Sequence, residues 1–300
     1  MQLSIHHYSR DGDWNQTPDG GLDSAETVLF IFAGTRCTAL ERAMDDLRVC
    51  FPLAHWIGCS TAGEIFGRTL DDDSLVVAIV RFDKARVRSV QERIGQDQGA
   101  LEAGRNIARA LAGPGLKGVF VLADGLAVNG SELAKGLAGE LPAGLPVSGG
   151  LAADGDRFGN TWVIADKVPQ AEHVVAVGFY GDSVDIACNY RGGWDVFGPE
   201  REVTRSSGNV LYTLDGQPAL ALYRKYLGDR AGELPAAGLL FPLAIRNELE
   251  ADGLTVRTIL ADYTSLRAAG EAVTRIIAEG IVPAALEMMD RSAIGIVEAS

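Results

Sequence analysis

Positive charge is in short supply in this chain: 27 Lys and Arg stand against 40 Asp and Glu in 300 residues, a net charge of −13. A surface of that sign repels a phosphate backbone, so nucleic acid is excluded as a partner. Cysteine is also scarce. Cys37, Cys50, Cys59 and Cys188 lie far apart without a C-x-x-C pair, too thinly spread for a disulfide scaffold, and a reducing compartment fits best. Long apolar runs are missing as well. Nothing approaches the roughly 20 residues needed to cross a bilayer, and residues 1–13, with His6, His7 and Arg10, lack the apolar core of a signal peptide. The expectation is a cytoplasmic chain with no membrane segment. Metal ligands are few: Asp154 and Asp156 near Asn160 lack the glutamate that closes a calcium loop, and the four histidines form no zinc-type set.

The chain is nevertheless 47% hydrophobic, enough for a sizeable core and a length that suggests two domains. Turn chemistry at residues 15–24 predicts that structure starts at Thr27, leaving His6 and His7 in a mobile tail. Val28 to Phe32 is a continuous apolar run closed by Gly34, which reads as a strand buried on both faces. Residues 38–50 place Leu40, Met44 and Leu47 on one helical face, with Thr38 and Glu41 as a capping box. Further strands are predicted at 75–82 and 118–122. Helices follow at 100–111, stopped by Gly113, Pro114 and Gly115, and at about 129–137, opened by Asn129. Strands alternate with helices, so the class is α/β.

Past Pro146 the strand-like runs 162–165, 174–180, 184–190 and 210–214 have few helices between them, and that half reads as antiparallel. A helix returns over 217–227. The fold class is thus α/β, with mixed sheets and flanking helices in the N-terminal half, more antiparallel β in the second half, and a helical C-terminal tail. No repeat occurs at solenoid period.

The most informative stretch is His55-Trp56-Ile57-Gly58-Cys59-Ser60-Thr61-Ala62-Gly63-Glu64-Ile65. An apolar run leads into small and polar residues bounded by glycines, where backbone N–H groups and two hydroxyls would cradle a carboxylate or another small anion. The plain alternative is small core residues with Thr61 and Glu64 capping a helix. Gly149 and Gly150 read as a second close-approach segment, permitting a positive φ or contact with a ligand. Asp154 and Arg157 would pair with each other or hold the two ends of an amino acid. Trp194, beside Gly193, would form an aromatic wall or pack into the core. Nucleophilic catalysis fails on spacing. The glycines flanking Ser60 are one residue too far apart for a G-x-S-x-G elbow, and Cys59 and His55 would lie about 13 Å apart along a strand.

The segment 57–65 is similar to the signature of FIST domains, the F-box and intracellular signal transduction family. Later stretches resemble further FIST blocks in order: Asp124-Gly125-Leu126 with Asn129-Gly130-Ser131, Ser148-Gly149-Gly150-Leu151-Ala152 with Asp154 and Arg157-Phe158, Gly192-Gly193-Trp194, and Leu214-Asp215-Gly216-Gln217-Pro218. The resemblance implies a bacterial, cytoplasmic sensory module that binds a small ligand such as an amino acid and is not an enzyme. It divides the chain into an N-terminal FIST region over 27–212, a truncated C-terminal FIST region over 213–261, and a tail over 262–300. Its partners would be a histidine kinase or a cyclic-di-nucleotide signalling enzyme. The ligand residues implied are Gly58, Cys59, Ser60, Thr61, Gly63, Glu64, Gly149, Gly150, Asp154, Arg157, Gly193 and Trp194, with no catalytic residue and no resident cofactor.

Two alternatives stay open. Some FIST-like proteins resemble haem-based nitric oxide sensors, for which His55, His173, Cys59 or a tyrosine would be axial ligands. Residues 263–300, above all Gly280 to Asp290, resemble a fragment of glycolate-oxidase-type FAD-linked oxidases that act on 2-hydroxy acids. There Leu266, Ala269, Val273, Ile276 and Ile277 make an apolar helical stripe.

Overall fold

The structure, a computed structural model, describes residues 1–95, 99–187, 198–207 and 210–244. Cys188, the turn with Gly192, Gly193 and Trp194, residues 188–190 of the predicted 184–190 strand, and the tail from 262 lie outside the described residues, and 184–187 form no strand. The chain forms two compact units, 1–188 and 189–300.

The first unit opens earlier than predicted. Residues Gln2–Tyr8 form a strand, β1, and not a mobile tail. Its alternation buries His6 and Tyr8, and His6 bonds Ser4 Oγ at 2.6 Å and the Gln16 carbonyl at 2.7 Å. Polar residue types hid this strand. There follow β2 (Thr27–Gly34), α1 (Leu40–Cys50), β3 (His55–Thr61), the short hairpin β4 (Glu64–Phe66) and β5 (Thr69–Asp71), and β6 (Leu75–Arg81). Next come β7 (Arg86–Arg93), α2 (Ala100–Leu111), β8 (Leu116–Ala123), α3 (Gly130–Glu140), β9 (Val147–Leu151), β10 (Val163–Ala165), β11 (Val168–Gln170) and β12 (His173–Tyr180).

The strands make two sheets, ordered β1-β6-β2-β3-β10-β11 and β7-β12-β8-β9. On one face of the first sheet Leu29, Ile31, Leu75, Val77 and Ile79 pack with Ala43, Met44 and Leu47 of α1. Its other face packs Val28, Ile57 and Cys59 against Leu122, Val175 and Val177 of the second sheet. The second sheet's far face sends Val119, Val121 and Val174 against Ile107 and Leu111 of α2 and Leu137 of α3. The layers therefore run helix, sheet, sheet, helices. Each fully buried aliphatic side chain contributes about 1.5–3 kcal/mol.

The two sheets are built alike. In the first, β1 is antiparallel to β6, β6 is antiparallel to β2, and β2 is parallel to β3 through α1. In the second, β7, β12, β8 and β9 repeat those relations, with α3 as the crossover. A duplicated topology thus underlies a sequence with no repeat at solenoid period. The hairpin β10–β11 breaks the symmetry by crossing to pair Val163 with Cys59 of β3.

The second unit holds the antiparallel strands β13 (Val203–Ser207), β14 (Val210–Leu214) and β15 (Gln217–Pro218), then α4 (Ala219–Leu227) and α5 (Ala237–Leu240). Leu214, Ala219 and Leu222 form its small core.

Helices α2 and α3 cross on glycine. A Cβ on Gly136 would sit 2.1 Å from the Leu101 carbonyl oxygen, and one on Gly104 2.4 Å from that of Leu133. Gly136→Ala is expected to destabilise the protein by about 1–3 kcal/mol through forced separation of the helices. Gly139→Ala, on the same helix but facing open space, should instead gain up to about 1 kcal/mol. Urea unfolding of both variants checks the contrast.

Candidate functional site

The parallel pair β2 and β3 ends at one rim, and the loop that leaves β9 folds back onto it. Ser60 is the junction. Its backbone N–H donates to the Trp162 carbonyl at 2.9 Å, its carbonyl accepts the Ala153 N–H at 2.9 Å, and its Oγ accepts the Trp162 N–H at 3.2 Å. Two motif stretches nearly a hundred residues apart are thereby joined. Ser60 is fully buried, so its hydroxyl is spent on the fold.

Gly58 is demanded by the sheet. A Cβ there would lie 2.2 Å from the Ile31 carbonyl oxygen and 2.7 Å from Ile164 Cδ1. Cys59 points the other way, into the inter-sheet core, where burial pushes its thiol up to about 12. It is a neutral packing residue. The pair Thr61 and Glu64 opens no helix: Thr61 Oγ1 donates to Glu64 Oε1 at 2.5 Å across the β3–β4 turn, with Gly63 between them at φ +149°. Glu64 is buried and its second oxygen accepts the Ser74 N–H at 2.9 Å and the Ser74 hydroxyl at 3.0 Å. Burial raises its pKa, against the lowering effect of those hydrogen bonds.

The Asp154 carboxylate is a dense polar node. It accepts from the Thr35 hydroxyl, from Arg157 Nε at 2.8 Å, and from the Gly159 and Asn160 N–H groups, each at 3.0 Å. Burial alone would raise its pKa, but these donors prevail and hold it at about 2. The Arg157 guanidinium also donates to Thr35 Oγ1 at 2.9 Å, and its side chain stays 29% exposed. Asp154 and Arg157 therefore pair with each other, the simpler of the two arrangements expected of them. Asp124, passed over as a functional candidate, is a similar buried node. It takes the Leu126, Ala127 and Glu172 N–H groups and the Thr161 hydroxyl, and its position just after a strand and before a glycine was the available signal.

Of the two glycines on β9, only Gly149 is constrained. Its φ is +148° and a Cβ would meet the Val121 carbonyl oxygen at 1.7 Å, whereas Gly150 faces open space. The close approach expected at Gly150 is thus a property of its neighbour, and it serves the β8–β9 pairing. Gly193 and Trp194 lie outside the described residues.

A cavity of about 540 Å³ opens elsewhere in the first unit, between the sheets, lined by Phe30, Phe82, Phe120 and Phe179 with Ser148 at its wall. Among the described residues, none of those expected to bind ligand lines it, and neither does any histidine, cysteine or tyrosine. His55, His173 and Cys59, considered above as haem ligands, are therefore not among its described lining residues. His55 Nδ1 bonds Ser89 Oγ at 2.7 Å and His173 Nδ1 bonds the Ala171 carbonyl at 2.7 Å. Among the described residues no three His, Cys, Asp or Glu side chains gather to hold a metal ion, and no helix is long and apolar enough to cross a membrane.

The depressed pKa of Asp154 fixes a pH dependence. Its folded value of about 2 lies below the ordinary 3.8, so its contribution is fully present above about pH 4 and is lost as pH falls through 2, an effect of roughly 2–3 kcal/mol. Glu64, raised by burial, has the opposite sign. Asp154→Asn should cost about 2 kcal/mol near pH 7, and its deficit against the parent should shrink between pH 4 and pH 2. Urea midpoints measured across that range decide the matter, and a deficit independent of pH would refute the assignment.

Comparison with known proteins places these observations. Over 219 residues the chain is 27% identical to an uncharacterized protein of Methanocaldococcus jannaschii, a match that covers 68% of this chain and 41% of the relative. The chain spans less than half of that relative's length. Residues 255–300 match the C-terminal domain of FAD linked oxidases. Residues 27–217, which contain the Gly58–Glu64 turn, the Asp154–Arg157 node and every strand of the two sheets except β1, match the FIST N domain. This match covers more than half of the chain, and the protein belongs to the FIST N domain family of signal-transduction sensory domains.

Proposed function

We propose that the protein is a cytoplasmic sensory module that recognises a small carboxylate-bearing ligand, with an amino acid as the first candidate, at the rim where β3 ends and the β9 loop returns. The observation that carries this reading is Arg157. Its guanidinium is held by Asp154 and Thr35 yet remains partly exposed, so it is a preoriented cation on a chain of net charge −13. Preorientation matters because little side-chain entropy is then lost on binding. Asp154 is already filled by its donors and holds the arginine, leaving the ligand's ammonium to other acceptors of the rim.

Residues 213–261 would begin a C-terminal FIST region, and a histidine kinase or cyclic-di-nucleotide enzyme would read the signal. The match of residues 255–300 to an oxidase domain favours a second reading, a fragment of a flavin-linked 2-hydroxy-acid oxidase. The purified chain would then be yellow.

A thermal-shift panel of amino acids and simple carboxylates tests the proposal. A ligand at 100 times its dissociation constant should add about 2.7 kcal/mol. Arg157→Ala should weaken binding of the responding ligand at least about tenfold, or 1.4 kcal/mol, with Arg157→Lys intermediate. A ligand bound equally by Arg157→Ala would place recognition elsewhere.

A further inference from the structure

The middle layer of a two-sheet sandwich is normally its driest part, where facing side chains interdigitate without gaps. Val28, Ile57 and Val177 obey this and are 0% exposed. Phe30, Phe82 and Phe120 do not: they point into the same layer but are only partly buried. Phe30 meets Phe120 edge-on with centroids 5.4 Å apart, and Phe82 meets Phe179 at 5.5 Å. Beside these two aromatic pairs lies the cavity of about 540 Å³. It opens to solvent on the side of Asp83, Lys84 and Asp185, so it is a cleft between the sheets and not a closed gap, and its volume falls within the range of small-molecule sites.

The charged groups of the cavity lining are exposed. Asp83 is engaged by the amino-terminal ammonium of Met1, while exposed Lys84 and Asp185 bring one charge of each sign. Among the described lining residues these charges cancel, so they give no net pull on either an anion or a cation. Affinity must come from apolar surface laid against phenyl faces and edges.

From this geometry we infer a second ligand site, distinct from the Arg157 rim, that takes an uncharged hydrophobic ring compound of roughly 10–20 non-hydrogen atoms. The ring stacks among Phe30, Phe82, Phe120 and Phe179, and a single polar head remains at the Ser148 side. Binding is driven by burial, so it is insensitive to salt.

Titration of the full chain with 2-naphthol, followed by calorimetry at low and high salt, tests the site. The expected result is saturable one-to-one binding, unchanged by salt, with the anionic 2-naphthoate no tighter. Ser148→Phe should fill the cavity and abolish binding at an unchanged or higher melting temperature. Phe82→Leu, which keeps an apolar side chain but removes one aromatic partner, should weaken binding about three- to tenfold and stands in if Ser148→Phe does not fold. Arg157→Ala should leave 2-naphthol affinity unaltered, which separates this site from the rim. Absence of binding at 1 mM probe, binding that neither cavity variant changes, binding lost in Arg157→Ala, or a salt-dependent preference for 2-naphthoate would each overturn the inference.

Discussion

Everything in the first unit depends on two sheets pressed face to face. Val28, Ile57 and Cys59 from one, and Leu122, Val175 and Val177 from the other, form a layer that neither sheet could bury alone. Helices then cover the two outer faces. Because both sheets share the same strand relations, the parallel pairs β2–β3 and β8–β9 both send their carboxyl ends into loops, and one of those loops, after β9, crosses to the other sheet as β10–β11. The polar rim is a by-product of that crossing. Ser60 accepts Ala153 and Trp162 because the returning chain must satisfy its backbone at the edge of β3.

The buried carboxylates show how such a junction is held. Asp154 has a guanidinium and two backbone N–H donors, so it stays ionised to a pKa of about 2. Glu64 has hydroxyls and one N–H but no cation among its hydrogen-bond partners, so burial shifts it the other way. The difference lies in the donor set, since both groups are buried. Both carboxylates are largely saturated, which suits them to fixing loops and not to proton transfer.

Much of the fold was legible because burial on both faces leaves a plain mark. The run Val28 to Phe32 lies within β2, whose burial pattern has no exposed position. Helix α2 spans the predicted residues, and Asn129 caps α3 through the Ser131 and Glu132 N–H groups. Strands with polar outer faces were missed. Edge strand β1, read as a tail, and edge strand β7, with three arginines in eight residues, carry no strand signal of their own, because pairing partners, not residue types, make them strands. The Thr38 cap also failed, since α1 begins after Ala39 with no side-chain cap. At the site, residue types were visible but orientation was not. Alternation along β3 sends Cys59 to the inter-sheet core and Gly58 and Ser60 to the opposite face, and only the register with Ile31 and Ala33 settles which is which.

Glycine shows the same limit most sharply. Gly149 and Gly150 are indistinguishable in sequence, yet one lies against the Val121 carbonyl and the other faces open space. What separates them is the parallel partner, β8, a segment some thirty residues upstream whose carbonyl direction no local pattern encodes. The cavity is legible by neither route. Four phenylalanines at scattered positions on β2, β8 and β12 and just past β6 become one aromatic wall only when two separately built sheets are laid together. A sequence motif can mark a strand end, where glycine and hydroxyl residues cluster in one stretch. A site assembled across the faces of a duplicated sandwich leaves no such stretch, so its chemistry must be read from packing defects rather than from signatures.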